Sequence, residues 1–240
     1  MTVSRGWLVT GGTRGIGRAV VDQVAKAGGA VAVLARTPSG EPYGSEGVVE
    51  IPTDVTDGAS VRDAVEQARE HLGGVDVVVN CAGTHRGGRI EALERDRWDA
   101  VLATNLTGAY EVCHAAVPHL ERGAAVVNVG AVVGFRGFPG DAAYASAKAG
   151  IAGLTRSLAV ELAPAGVSVN LVVPGFVDTA MTAGLSRAAR RRVVAAIPAG
   201  RVGTAEEIAD VVVAVAGASY MTGAVVPVDG GLMATFGGAG

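Results

Sequence analysis

The chain has 240 residues and a formal net charge of −3, with its 20 Lys and Arg dispersed, so it offers no electrostatic footprint for nucleic acid or an anionic membrane. Apolar types make up 49% of residues and aromatics only 4%, which predicts an interior of Val, Ala, Leu and Ile packed against abundant Gly, as where helices cover a parallel sheet. Small-molecule ligands and one large α/β domain over residues 1–240 are the expectation. MTVSRGWLVTGG lacks the basic stretch and long apolar run of a signal peptide, and no window reaches eighteen uncharged apolar residues. Cys81 and Cys113 stand in apolar surroundings without Cys-x-x-Cys spacing or a His cluster, so they read as buried free thiols. A soluble protein in a reducing cytoplasm, with no metal site, is expected.

Taken in order, short apolar runs alternate with longer periodic segments. GWLVT (6–10) leads into a helix over Gly15–Gly28, and AVAVLAR (30–36) follows. The next segment, TPSGEPYGSEG, is too short and too rich in Pro and Gly for a helix, so a loop is expected there. VVEIP (48–52) precedes a helix over Ala59–Leu72, and VDVVVN (75–80) one over Arg95–Leu120. AAVVNVG (124–130) precedes Asp141–Leu162, VSVNLVV (167–173) follows, and Ala205–Ala216 comes before AVVPV (224–228). Val-rich strands with helices between them predict βαβ units in a seven-stranded parallel sheet, doubly wound, with helices on both faces. Within 179–197, ARRRVV reads as a solvated helix or lid. The FGGAG tail carries structure only if it docks.

The first strand runs into TGGTRGIG, which spaces Gly11, Gly15 and Gly17 across a strand-to-helix turn. Such a turn brings backbone without Cβ atoms, and the positive end of a helix, against a pyrophosphate. A plain tight turn would use the same glycines. Arg14 lies inside the turn and Arg36 ends the second strand, where arginine suits a ribose 2′-phosphate, so NADP(H) is favoured over NAD(H). Asp54 follows the third strand, as ligand-side residue or helix cap. NCAG, Asn80 to Gly83, follows the fourth strand at a carboxyl end where ligands of open sheets gather.

Tyr144 and Lys148 are one helical turn apart and share a face, whereas Ser146 is about 200° round from Tyr144. An ammonium beside a phenol favours the phenolate, lowering a pKa of about 10 toward neutrality. A phenol so tuned donates a proton to a carbonyl as hydride arrives from nicotinamide. A ring that merely packs, beside a solvated lysine, is the alternative.

TGGTRGIG, NCAG, Asn105, YASAK, PGFVDT and VPVDGG together resemble the short-chain dehydrogenase/reductases, over nearly the whole chain. GRVGTAEEIADVV and SYMTGAVVPVDGG are most similar to bacterial 3-oxoacyl-acyl-carrier-protein reductases and related polyketide ketoreductases. The resemblance implies a Rossmann-type fold and NADPH-dependent reduction of a ketone, a 3-oxoacyl thioester or polyketide. Tyr144 would be the general acid, Lys148 would lower its pKa and hold the nicotinamide ribose, and Asn105 would position a proton-relay water. Gly11, Thr13, Arg14, Gly15, Ile16, Gly17, Arg36, Asp54, Val55, Asn80, Ala82, Gly83, Pro174, Gly175, Val177 and Thr179 would line the cofactor with Tyr144 and Lys148. Substrate-side residues would come from Arg86 to Ile90, Gly134 to Asp141 and 179–197. A homotetramer is implied as well.

Two departures from the family pattern stand out. Ala131 occupies the position of the family's serine, whose hydroxyl meets the substrate carbonyl, so weakened activity is expected: one lost donor costs on the order of 10² to 10³ in rate. An introduced serine-to-alanine change and a natural member with altered chemistry both fit, as does a catalytically silent NADP(H)-binding regulatory or scaffolding protein. Of the two arginines that meet an acidic acyl carrier protein beside the site entrance in relatives, Arg122 matches one and Ala165 replaces the other. Arg122 also reads as an ordinary helix C-terminal cation.

Overall fold

The computed structural model describes residues 5–184 and 186–235; the FGGAG tail lies outside them. Seven parallel strands form one sheet: β1 (Gly6–Thr10), β2 (Ala30–Ala35), β3 (Val48–Pro52), β4 (Val77–Asn80), β5 (Ala125–Val129), β6 (Ser168–Pro174) and β7 (Val225–Val228). Their spatial order is β3-β2-β1-β4-β5-β6-β7, so the chain reverses its direction of travel across the sheet between β1 and β4. Ligands of such sheets lie at the carboxyl ends of the strands beside that switch.

Every residue of β1, β4 and β5 is buried, which is why these segments read as unbroken apolar runs rather than as alternating ones. One face is covered by α1 (Gly15–Lys26) and α7 (Ala205–Ala216), with Val20, Val21, Val24, Ile208 and Val212 in one cluster against Val9, Val79 and Val127. The other is covered by α2 (Gly58–Leu72), α4 (Gly108–Ala116) and part of α5 (Ala142–Leu162), through Val61, Val65, Val112 and Ala159. No helix joins β2 to β3, as the Pro and Gly content of that crossover predicts.

One element differs from expectation. The long helix predicted over 95–120 is α3 (Arg95–Leu102), a π-helical turn (Ala103–Thr107), α4 and a 3-10 turn (Val117–His119). A further helix, α6 (Arg187–Ala196), contains ARRRVV and buries no residue, in keeping with a solvated helix; Ser186 caps its amino end.

Candidate active site

The turn after β1 is shaped by close backbone approach. Gly11 and Gly15 have φ of 68° and 56°, in the left-handed region that side chains disfavour. A Cβ on Gly17 would lie 2.4 Å from the Gly11 carbonyl oxygen, and one on Gly11 2.8 Å from Ala82 Cα. Glycine at both positions therefore lets the start of α1 fold onto the turn and the turn meet the segment after β4. Arg14 is the extended N-cap of α1 and is exposed, while Ile16 packs on the core and Thr13 is half-buried. The first turn of α1 carries no acidic residue, leaving the positive end of its dipole unopposed. Arg36 is exposed at the end of β2.

Asp54 does not cap a helix: Asp57 does, its carboxylate accepting from the Ala59 and Ser60 amides at the start of α2. Asp54 instead closes a turn on Thr56, accepting from its amide at 3.0 Å and its hydroxyl at 2.8 Å. Those bonds, the backbone one first, and the Arg36 charge hold its carboxyl below the ordinary value. Val55 directs its side chain into the core, where its Cγ2 would be 2.8 Å from a Cβ on Gly108, so only its backbone is open to a ligand.

After β4, the Asn80 side chain is held by the protein itself. Asn80 is buried, and its amide donates to Asn128 Oδ1 at 2.8 Å and Cys113 Sγ at 3.3 Å, beneath the strand ends. Asn128 in turn donates to Thr155, tying β4 and β5 to α5. Ala82 and Cys81 donate backbone amides to the Thr10 hydroxyl at 3.0 and 3.1 Å. Thr10 thus fastens β1 to β4 at the floor of the cleft; its signal in the sequence is a lone hydroxyl ending an otherwise apolar strand. Gly83 leaves room for Asn105, whose Oδ1 would be 2.8 Å from a Cβ there. Asn105 sits in the π-helical turn and accepts from the Thr84 amide at 3.2 Å. Its own amide donates to the carbonyls of Thr84 and Val101, both at 2.8 Å. Both of its side-chain protons are committed to backbone carbonyls.

Tyr144 and Lys148 lie in α5 at the carboxyl end of β5, with Lys148 Nζ 5.7 Å from the Tyr144 ring centroid. The expected tuning is absent from this geometry. The Lys148 ammonium donates to the Val129 carbonyl at 2.8 Å, and burial pushes its pKa down to about 8. Burial, with the Cys81 and Asp141 charges adding, drives the Tyr144 phenol above its ordinary value rather than toward neutrality. Ala131 is the extended residue opening the loop after β5, and Gly134 of that loop packs on the Lys148–Ala149 backbone of α5. No hydroxyl stands at 131.

The segment after β6 closes the cleft. Pro174 ends β6, and Gly175 donates to Val228 where a Cβ would lie 2.6 Å from Asp229 Cα. Val177 is buried and bridges to Gly203. Thr179 Cγ2 would be 3.5 Å from a Cβ on Gly15, so this segment folds over the glycine turn.

Arg122 lies elsewhere. It precedes β5 and packs over Gly166, which precedes β6; Gly123 donates to the Gly166 carbonyl. In a parallel sheet that is the amino end of the strands, opposite the Tyr144 cleft, so within this chain Arg122 does not border the site entrance. A pair that the sequence does not single out does border Tyr144. His85 Nε2 is 2.7 Å from Asp141 Oδ1, and the His85 ring meets Tyr144 edge-on with centroids 5.2 Å apart.

A family model described as enoyl-(acyl carrier protein) reductase matches residues 11–233. The chain is 42% identical over 234 residues to the 3-oxoacyl-[acyl-carrier-protein] reductase MabA of Mycobacterium tuberculosis strain H37Rv, covering 96% of this chain and 93% of that protein. It is 41% identical over 236 residues to the Pseudomonas aeruginosa 3-oxoacyl-[acyl-carrier-protein] reductase FabG, covering 94% of this chain and 96% of that protein. Among solved structures, a Serratia marcescens short-chain dehydrogenase/reductase superposes with a TM-score of 0.87 at 35% identity, over 95% of this chain and 98% of that one. A blue fluorescent protein from a metagenomic library, solved in complex with NADPH, gives 0.89 at 32%, over 95% and 97%. Seven parallel strands in this order, the glycine turn and relatives above 40% identity along the chain agree: it belongs to the short-chain dehydrogenase/reductase family.

Proposed function

We propose that the chain is an NADP(H)-dependent ketoreductase acting on a 3-oxoacyl thioester or a polyketide ketone. The observation that carries this is the meeting of two features in one cleft: the glycine turn at β1 and the Tyr144–Lys148 pair on α5. The residues fit the cofactor. Gly11 and Gly17 let the turn close tightly on α1 and on Ala82, the α1 amino end carries no acidic residue, and Arg14 and Arg36 are exposed for a 2′-phosphate. Bound NADPH supplies the hydride. Tyr144, a phenol that burial holds in its protonated form, gives its proton to the carbonyl oxygen as that oxygen becomes anionic. Lys148, at about 8, carries its charge at neutral pH and places it beneath the reacting groups. Ala131 offers that oxygen nothing, so a site relying on Tyr144 alone is slower by on the order of 10² than one with a second donor.

The test is NADPH oxidation followed across 3-oxoacyl thioesters, aromatic polyketide ketones and 2-enoyl thioesters, with NADPH binding measured separately by fluorescence. Turnover of ketones with little of the enoyl substrates is expected. NADPH binding with no turnover would instead favour a silent NADP(H)-binding regulatory protein, the reading that Ala131 supports. Relatives named for an acyl-carrier substrate make a carrier-borne thioester part of the proposal. Contact through Arg122 to the same chain's cleft is not part of it, since that arginine lies at the opposite end of the sheet. A homotetramer is also proposed, on the family resemblance and on Val160 and Tyr220 being largely exposed; a mass near 24 kDa in light scattering would exclude it.

A further inference from the structure

Three arrangements beside Tyr144 converge on one side chain. His85 Nε2 lies 2.7 Å from Asp141 Oδ1, with the carboxylate side chain only 14% exposed and the imidazole 35%. The imidazole and Tyr144 rings meet T-shaped, at an interplanar angle of 86°. The loop carrying His85 is fixed from both sides: Asn105 holds Thr84 through its amide and carbonyl, and Gly88 donates to the Gly140 carbonyl at 2.8 Å. The space is made by a missing side chain, for a Cβ on Gly87 would lie 3.2 Å from both His85 Cε1 and the Gly140 oxygen.

Resting on the ketoreductase reading, we infer that the His85–Asp141 pair supplies the second hydrogen-bond donor to the substrate carbonyl, in place of the hydroxyl absent at 131. Asp141, accepting at Nε2, keeps a proton on that nitrogen. A neutral ring so held has no proton on Nδ1 and cannot donate from it; the imidazolium can. His85 therefore acts as a charged donor that stabilises the developing oxyanion and keeps its proton. The proton that forms the alcohol leaves Tyr144, and the hydride reaches the carbonyl carbon from NADPH, so nothing is transferred by His85. The Asp141 hydrogen bond is the main influence raising the His85 pKa above 6.5, ahead of the burial that opposes it. The groups that meet the imidazole are Asp141, which precedes α5, and Tyr144 within it. Its own loop adds Arg86 and Arg89, while Arg136 of the neighbouring loop is committed to Leu232 and Thr235.

The experiment is a cycle of His85→Phe and Ala131→Ser in the NADPH-loaded full chain, on a ketone that the parent reduces. Phenylalanine retains the ring contact with Tyr144. In the parent it is expected to lower kcat on the order of 10²-fold with KM moving less than about 3-fold. With serine at 131 the same change should cost less than about 10-fold, because the hydroxyl already serves that oxygen. The alkaline limb of parent kcat should follow the His85 pKa, measured by NMR titration of the imidazole, and Asp141→Asn should lower both together. Activity is present below that pKa and lost as pH rises through it. Equal losses in both serine and alanine backgrounds, or an imidazole pKa that Asp141→Asn leaves in place, would overturn the inference. Failure of the parent to reduce any ketone while binding NADPH would defeat the ketoreductase reading itself, a separate outcome.

Discussion

Gly17 and Lys148 are both buried at the floor of the cleft, and the fold accommodates them by opposite means. Around Gly17 the shape comes from atoms that are missing: a Cβ would sit 2.4 Å from a carbonyl oxygen, and the turn exists because none is there. Around Lys148 the shape comes from a long charged side chain, taken out of water and satisfied by one backbone carbonyl, with its pKa driven down to about 8. Backbone cradles tolerate no addition, whereas a side-chain site tolerates exchange if its chemistry is replaced. The cofactor half is built on glycines, while the chemical half has alanine at 131 and holds a histidine–aspartate pair.

The strongest test of this contrast is Tyr144→Phe. Removing one oxygen leaves the ring to pack on His85 and the cofactor cradle untouched, so kcat should fall about 10³-fold while NADPH affinity and thermal stability stay near the parent's. A parallel loss of NADPH affinity would mean that the two halves are not separable.

Lys148→Met sharpens the same contrast through stability. A lysine whose folded pKa is near 8, against about 10.5 unfolded, makes the unfolded chain bind more protons between those values. Parent stability in urea should therefore rise with pH through that window, by an amount on the order of 3 kcal/mol from this group. The methionine variant should lose that rise, with activity lost as well. An unchanged slope would show that the ammonium is better solvated than its burial implies.

The two halves also differ in what the sequence discloses. All seven strands, the helix-free crossover before β3 and the glycine turn follow from local pattern: valine runs buried on both faces, Pro and Gly density, and glycine spacing. The chemical half is legible only where a motif is local. Tyr144 and Lys148 are one turn apart in a single helix, but His85 and Asp141 meet across 56 positions, and nothing in either neighbourhood announces the other. The π-helical turn at Asn105 is equally hidden, because it accompanies bonds to Val101 and to Thr84 on another segment. The bonds of Asn80 are hidden for a related reason. Its place at a strand end suggests a ligand, yet the strand's pleat turns its amide inward to Asn128.

Gly17→Ala probes the cradle directly. The added methyl meets the Gly11 carbonyl, so the turn or α1 must shift, at a cost typical of overpacking, about 1–3 kcal/mol. Part of that should appear as NADPH binding weakened about 10-fold or more, with kcat at saturating NADPH within about 3-fold of the parent. A fall in kcat without a change in affinity would reverse the assignment of the two halves.

Arg36→Asp has the smallest expected effect, because the side chain is exposed and its interactions are screened. Arg36 follows β2 and contributes to holding the Asp54 carboxyl low. It therefore sits where an adenosine ribose approaches an open sheet of this order. A guanidinium there makes charge-assisted bonds to a 2′-phosphate, and a carboxylate would repel that phosphate while accepting from a 2′-hydroxyl. The substitution also sets two carboxylates near each other, so some loss of affinity for both dinucleotides is expected. The informative quantity is the ratio of Kd values for NADPH and NADH at one ionic strength. It should move toward NADH by at least ~10-fold, or ~1.4 kcal/mol, while Tyr144-dependent kcat on the better cofactor is retained. Equal affinities of the parent for NADPH and NADH would remove Arg36 from cofactor choice and leave it a solvated charge at the rim.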